Sequence, residues 1–131
     1  MYVLDTNTLI YYFKGKGKVA ARLMQVPPRQ VAISSITVYE LEVGFAKINA
    51  PRMRRSQFEG FLSFVTVLPF ERKEATAAAG IRADLERRGL PIGPLDNLIA
   101  GTAIAQQATL VTHNLSEFSR IAGLAMVDWY A

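Results

Sequence analysis

Three acidic residues, Asp5, Glu40 and Asp96, stand apart from the other charged residues of this sequence in where they lie. Asp5 directly follows the apolar residues 2–4, which are typical of a short buried strand. In open parallel α/β sheets, ligands bind beyond the carboxyl ends of the strands, so a functional side chain is expected at this position. Asp is also a favourable N-cap for a following helix, and for an isolated Asp we favour that purely structural interpretation.

Asp96 lies in the first turn of a helix that Pro94 begins. Ile99, Ala100 and Ala103 follow at i+3, i+4 and i+7, so Asp96 caps the apolar stripe that faces the sheet. The structural alternative is that the carboxylate gains about 0.3–1 kcal/mol from the positive end of the helix dipole. A carboxylate aimed at the edge of a core nevertheless needs a partner, and Asp96 is therefore a candidate functional residue.

Glu40 and Glu42 share one predicted helix, and helical periodicity alone does not choose between them. Gly44 is the i+4 neighbour of Glu40 and leaves open space beside that carboxylate, while Ile36, at i−4, provides an apolar wall. Glu42 is expected to point to solvent. These neighbours favour Glu40 as the third functional acid.

If these three carboxylates converge, their repulsion must be relieved. Two carboxylates about 5 Å apart repel by roughly 3 kcal/mol at an effective dielectric constant of 20. No run of Lys or Arg lies near them in the sequence, and a divalent cation would neutralise them. With no Cys and one His, an all-oxygen site would select a hard ion, Mg²⁺ or Mn²⁺. Such an ion can activate a water molecule and stabilise charge on a phosphoryl oxygen.

The composition narrows the class of protein. The absence of cysteine excludes disulfide scaffolds, thiolate zinc sites, iron–sulfur clusters and cysteine nucleophiles. Residues 1–10 lack a basic n-region and carry an aspartate within their apolar stretch, so no signal peptide is expected. The longest uncharged run, residues 97–112, is too short and too polar to span a bilayer. We expect a cytoplasmic protein with no membrane segment.

The balance of charge favours a polyanionic partner. Fifteen Lys and Arg against eleven Asp and Glu give a net charge of +4. Lysines 14, 16 and 18 lie in a glycine-containing loop, and arginines 52, 54 and 55 lie in a predicted helix. Either cluster could contact phosphates, although each taken alone is more often a solvated surface. The remaining helical charges, Glu74 among them, are expected on polar helix faces.

The elements that must position the acids alternate between short strands and longer helices. Strands are predicted over residues 2–4, 31–33, 65–68 and 109–111, with an edge strand at 126–127. Helices are predicted from the cap at 5–7 to residue 13, and over 19–24, 36–48, 51–62, 71–88 and 95–106. This alternation predicts α/β structure in one domain, residues 1–131, with a mostly parallel sheet covered on both faces.

Five segments, in this order and spacing, resemble a known family: LDTN, SSITVYELEVG, GLPIGPLDNLIAGTA, LVTHNLSEF and VDW. They resemble the PIN-domain ribonucleases and, more narrowly, the VapC toxins of bacterial type II toxin–antitoxin modules. The resemblance spans nearly the whole chain, which makes it far more specific than any single acid.

The resemblance implies a three-layer α/β/α sandwich and Mg²⁺-dependent endonucleolytic cleavage of RNA, with Mn²⁺ as a plausible substitute. It implies that Asp5, Glu40 and Asp96 are the metal-binding and catalytic acids, which also selects Glu40 over Glu42. Its expected partners are an RNA substrate, a small antitoxin that occupies the active-site groove, and a second copy of the chain in a homodimer.

One position departs from the family pattern. Many PIN domains carry a fourth acid just after the last main strand, where this chain has Asn114. Asn114 could still orient a water or bind metal through its amide oxygen, so it is kept among the catalytic candidates, and Glu117 is near enough to substitute. Thr6 and Asn7 resemble the family's hydroxyl and amide support for Asp5.

Two other functions compete with a ribonuclease. A PIN-like domain that has lost activity with its fourth acid would only bind RNA or a partner. A phosphatase with an aspartate nucleophile usually has a second Asp two residues after the first, and this chain has Asn7 there. The first is the main alternative, and the second is disfavoured.

Overall fold

The computed structural model describes residues 1–131, in which five short strands form one sheet between two layers of helices. The strands are β1 (Tyr2–Leu4), β2 (Val31–Ser34), β3 (Thr66–Leu68), β4 (Thr109–Val111) and β5 (Met126–Val127). The helices are α1 (Thr6–Lys14), α2 (Val19–Leu23), α3 (Ser35–Ile48), α4 (Arg52–Leu62), α5 (Arg72–Arg87), α6 (Pro94–Ala105) and α7 (Leu115–Phe118). The predicted α/β class and parallel sheet are confirmed. Helix α7 and a 3₁₀ turn at Pro28–Gln30 were not predicted from the sequence.

All four strand pairs are parallel, in the order β3-β2-β1-β4-β5. The chain builds outward from β1 through β2 to β3 and then crosses to the other side of β1 for β4. This reversal makes the carboxyl end of β1 a topological switch point, where ligand crevices form in such sheets. Asp5 is the first residue beyond that end.

Two apolar cores cover the two faces of the sheet, because successive strand residues point to opposite sides. Val3 packs with residues of α5, α6 and α7, whereas its neighbour Leu4 packs with residues of α1 to α4. Both side chains are fully buried. The result is a three-layer α/β/α arrangement, and no helix of the chain has the length and apolarity to cross a membrane.

Helix α6 is held very close to α5, which fixes the position of the acid at its start. A Cβ at Gly101 would lie 2.6 Å from the Cβ of Ala78, so only glycine permits this approach. The Asn97 Nδ2 donates to the Ala78 carbonyl oxygen at 2.9 Å. The two contacts lock the first two turns of α6 against α5.

Glu74 corrects one expectation, because it is fully buried and does not lie on a polar face. Its Oε1 accepts from the backbone N–H of Glu71 at 2.8 Å, closing a capping box at the start of α5. Its Oε2 accepts from Nε2 of Gln106, beyond the end of α6, at 3.2 Å. The capping geometry folds the carboxylate inward, and α6 then covers it.

Candidate active site

Asp5 is both the N-cap of α1 and a buried carboxylate at the sheet edge, so its two interpretations are compatible. The side chain belongs to a residue only 3% exposed. Its Oδ1 accepts from the Thr8 backbone N–H at 2.8 Å, and its Oδ2 accepts from Thr112 Oγ1 at 2.6 Å. Burial raises the pKa of the Asp5 carboxyl, and these hydrogen bonds oppose the rise. Both oxygens are therefore fixed in orientation.

Glu40 and Glu42 are separated by their surroundings, although they are two residues apart on α3. Glu40 is half-buried, and its Oε1 accepts from Thr6 Oγ1 at 2.6 Å. Thr6 Oγ1 also lies 3.1 Å from Thr37 Oγ1. Glu42 is exposed and pairs with Arg55 at 3.4 Å. Glu40 faces the start of α1 beside Asp5, and Glu42 faces solvent.

Asp96 carries the strongest electrostatic signature of the chain. It lies half-buried in the first turn of α6, with the predicted apolar stripe buried behind it. Burial, followed by the nearby charges of Asp5, Glu40 and Glu117, together raise the pKa of the Asp96 carboxyl to about 6. The fold therefore brings four carboxylates from four distant stretches of chain into one electrostatic neighbourhood.

Asn114 and Glu117 are hydrogen-bonded to each other, and the charge of Glu117 acts on Asp96. Asn114 Nδ2 donates to Glu117 Oε2 at 2.6 Å, and the Asn114 backbone N–H donates to Thr112 Oγ1 at 3.0 Å. Glu117 lies on α7, a four-residue helix too short to produce a periodic sequence signal. Asn114 thus anchors an acid that affects Asp96, at the position where the family pattern has an acid of its own.

The supporting contacts differ from those expected. Thr6 was expected to support Asp5, but its hydroxyl donates to Glu40. Asn7 is exposed. Thr112 was missed, and it bridges Asp5 and the Asn114 backbone through one hydroxyl. A polar residue directly after an apolar strand was the only sequence signal for Thr112.

The carboxylates of Asp5, Glu40, Asp96 and Glu117 form an acidic pocket, and its ligand atoms suit a hard divalent cation. None of the four carboxylates forms a salt bridge with Lys, Arg or His. The available donors are carboxylate, amide and hydroxyl oxygens, which Mg²⁺ and Mn²⁺ prefer. No three His, Asp or Glu side chains are close enough in this arrangement to hold an ion. The carboxylates would have to close around it, and their attraction to a bound cation would favour that closure by outweighing their mutual repulsion.

Comparison with known proteins gives one consistent result. The PIN domain profile matches residues 2–124. The chain is 40% identical over 128 residues to the tRNA(fMet)-specific endonuclease VapC of Salmonella typhimurium, covering 98% of this chain and 97% of that protein. It is 36% identical to the ribonuclease VapC2 of Rickettsia felis, covering 98% of each chain.

Solved structures resemble this fold over the same length. VapBC2 from Rickettsia felis, bound to a DNA fragment from its promoter, gives a TM-score of 0.90 at 37% identity and covers 98% of both chains. DNA-bound VapBC from Salmonella typhimurium also gives 0.90, at 40% identity, over 98% of this chain and 97% of that one. These similarities extend across every element that carries a pocket acid.

Proposed function

The chain belongs to the PIN-domain family, in its VapC ribonuclease branch, and from that membership we propose that it is the endoribonuclease toxin of a type II toxin–antitoxin module. The main observation in support of the proposal is the negative electrostatic field at the Asp96 carboxyl. Four carboxylates act on one pocket, no basic side chain neutralises them, and the pocket lies at the switch point of the sheet. An arrangement so unfavourable without a cation is typical of a metal-dependent hydrolase.

Asp5, Glu40 and Asp96 would hold the ion, with Glu117 and the amide oxygen of Asn114 beside them. We propose Mg²⁺, with Mn²⁺ as a substitute, because the donors are oxygens alone. A bound ion would supply an activated water and would stabilise negative charge on the phosphoryl oxygen.

The side chains of the pocket have distinct tasks in this proposal. Thr8 and Thr112 hold both oxygens of Asp5, so that carboxylate is oriented before any ligand arrives. Thr6 holds one oxygen of Glu40 and leaves the other free. Asp96 completes the set, because burial and the neighbouring acids raise its pKa to about 6 in the metal-free chain and a bound cation would stabilise its ionised form.

We propose a structured RNA as the substrate and transfer RNA as the first class to test. One relative is named a tRNA(fMet)-specific endonuclease, and its identity to this chain extends over 98% of the sequence. We also propose a cognate antitoxin as a partner, since the solved relatives are VapBC toxin–antitoxin complexes. A homodimer acting in the cytoplasm, where its RNA substrate occurs, completes the proposal.

A matched pair of variants tests the activity. Purified protein is incubated with a transfer RNA fraction in Mg²⁺ or Mn²⁺, with EDTA as the control. We expect discrete fragments that EDTA abolishes. Glu40→Gln should reduce the cleavage rate about 100-fold or more, since even residues that only support a metal ligand cost about 10–100-fold. Glu42→Gln should cleave as the parent does.

Other outcomes would support the binding-module alternative or contradict the proposed function. RNA binding that survives EDTA without fragments would make the chain a binding module. Equal loss of cleavage in Glu40→Gln and Glu42→Gln would contradict the assignment of the carboxylates. A host that grows normally while making the wild-type chain alone would count against its being a toxin.

A further inference from the structure

A stacked aromatic pair borders the acidic pocket. The rings of His113 and Tyr130 have centroids 4.2 Å apart and planes 26° apart. His113 directly follows Thr112, whose hydroxyl holds Asp5. His113 Nδ1 lies 2.9 Å from Oδ2 of Asp128, the residue that follows β5. Because β1, β4 and β5 are parallel, the aromatic pair and the carboxylate of Asp5 lie at the same edge of the sheet.

Tyr130 is fixed by contacts with α1 and with the loop that follows it. Tyr11 packs its ring edge against Tyr130 at 4.8 Å between centroids. Gly17 approaches the Tyr130 ring so closely that a Cβ there would lie 2.7 Å from ring carbons, and its φ of +61° also requires glycine. The Lys18 backbone N–H donates to the Tyr130 carbonyl oxygen at 3.0 Å. Tyr130 therefore gives His113 a rigid support.

The imidazole is the exposed end of this stack. The His113 side chain is 44% exposed although Tyr130 covers one of its faces. Tyr11 also packs against the His113 ring, with centroids 6.1 Å apart and planes 82° apart, and Asp128 contacts one ring nitrogen. The exposed part of the ring is therefore the surface that Tyr130, Tyr11 and Asp128 leave uncovered. An aromatic face held rigid and open to solvent is a surface on which a nucleic-acid base can stack.

The loop that contacts Tyr130 carries positive charges that form no salt bridge with acidic side chains. Lysines 14, 16 and 18 are all exposed, and none forms a salt bridge. Two residues of their loop, Gly17 and Lys18, contact Tyr130 directly. The charges are therefore held beside the aromatic stack. A stacking ring next to a track of positive charge is how proteins bind single-stranded nucleic acid.

We propose that His113, supported by Tyr130, stacks against an unpaired base of the RNA while the lysines of residues 14–18 contact the neighbouring phosphates. The inference rests on the proposed ribonuclease function and adds to it. It predicts that this surface binds an unpaired segment of the RNA, because a base within a duplex is already stacked on its neighbours and has no free face to offer.

Binding to RNA, measured separately from cleavage, tests the proposal. Every variant is made in an Asp96→Asn background, and a fluorescent single-stranded RNA of about ten nucleotides is titrated by polarisation. His113→Phe keeps an aromatic face and should bind within about twofold of the background protein. His113→Leu keeps bulk without the π face and should bind about fivefold or more weakly. A duplex of the same length should bind weakly to all three proteins.

Charge is tested with a double variant and a matched control. Lys14→Ala with Lys16→Ala should lower the salt-dependence slope of log K by about 1.4, the value for two phosphate contacts on a single strand. Arg82→Ala with Arg87→Ala removes the same charge from α5, in the opposite helical layer, and should leave the slope unchanged. Melting temperatures establish that all proteins are folded.

Three results would overturn the inference: equal binding by His113→Phe and His113→Leu, equal loss in the lysine and arginine double variants, or no measurable binding of single-stranded RNA by the background protein. Cleavage of RNA by the parent chain alongside any of these results would leave the nuclease assignment intact and reject only the stacking surface.

Discussion

Removal of one charge from the acidic pocket should make the metal-free protein more stable. The Asp96 pKa rises from 3.8 to about 6 in the folded chain, which corresponds to about 3 kcal/mol at 1.36 kcal/mol per pKa unit. Solvent screens this half-buried group, so we halve that figure. Asn also loses about 0.5 kcal/mol of interaction with the dipole of α6. The net expectation for Asp96→Asn at pH 7.5 is a gain of about 1 kcal/mol.

The pH dependence of this gain follows from the sign of the pKa change. The folded chain holds the Asp96 proton more tightly than the unfolded chain, so the parent has its full stability below about pH 4 and loses it as the pH rises through about 6. Asn cannot ionise, and the variant lacks this loss. The two proteins should therefore converge in stability near pH 4.5 and diverge toward pH 7.5.

Thermal melting in EDTA measures the difference. An unfolding entropy of about 2.1 cal/mol/K per residue over 131 residues converts 1 kcal/mol into about 4 °C. Asp84→Asn is the matched control, because Arg88 lowers the pKa of that carboxyl and its replacement should give no stabilisation. Mg²⁺ should raise the melting temperature of the parent more than that of Asp96→Asn. A variant that melts at or below the parent at pH 7.5, or whose advantage persists at pH 4.5, would refute the reasoning.

Two further substitutions test how the pocket is built. Thr112→Val removes the hydroxyl bonded to a buried carboxylate and should lower the free energy of unfolding by about 1–3 kcal/mol, whereas Thr112→Ser should retain it in chemical denaturation. Gly101→Ala should destabilise the chain by about 1–3 kcal/mol, because the added Cβ meets Ala78. Gly80→Ala, in the interior of α5 with open space around it, should stabilise the chain by about 0.5–1 kcal/mol. Equal melting temperatures for the two glycine variants would contradict the close approach of α5 and α6.

Local signals predicted most of the fold. Asp5 and Ser34 end strands and cap the helices that follow, and Pro94 begins α6. Each of these features depends on residues within one turn of one another, so the sequence displays it directly. The missed α7 has four residues, fewer than the periodicity of a helix needs.

Contacts between distant residues were not predictable in this way. Glu74 was expected on the polar face of an Ala-rich helix, yet Gln106, 32 residues later, donates a hydrogen bond to its buried carboxylate. Thr112 reaches Asp5 across 107 residues. Thr6, which the family resemblance assigned to the support of Asp5, donates to Glu40, 34 residues away.

The amino-acid order alone determined which acids to consider, which family they resemble and which ends of the elements carry them. Only the tertiary structure decided that Thr6 holds Glu40, that Thr112 holds Asp5, and that Glu117 acts on Asp96. Helical periodicity repeats within a few residues and is visible in sequence, whereas the field at a carboxylate depends on burial and on its distance from charges that the chain brings back from far away.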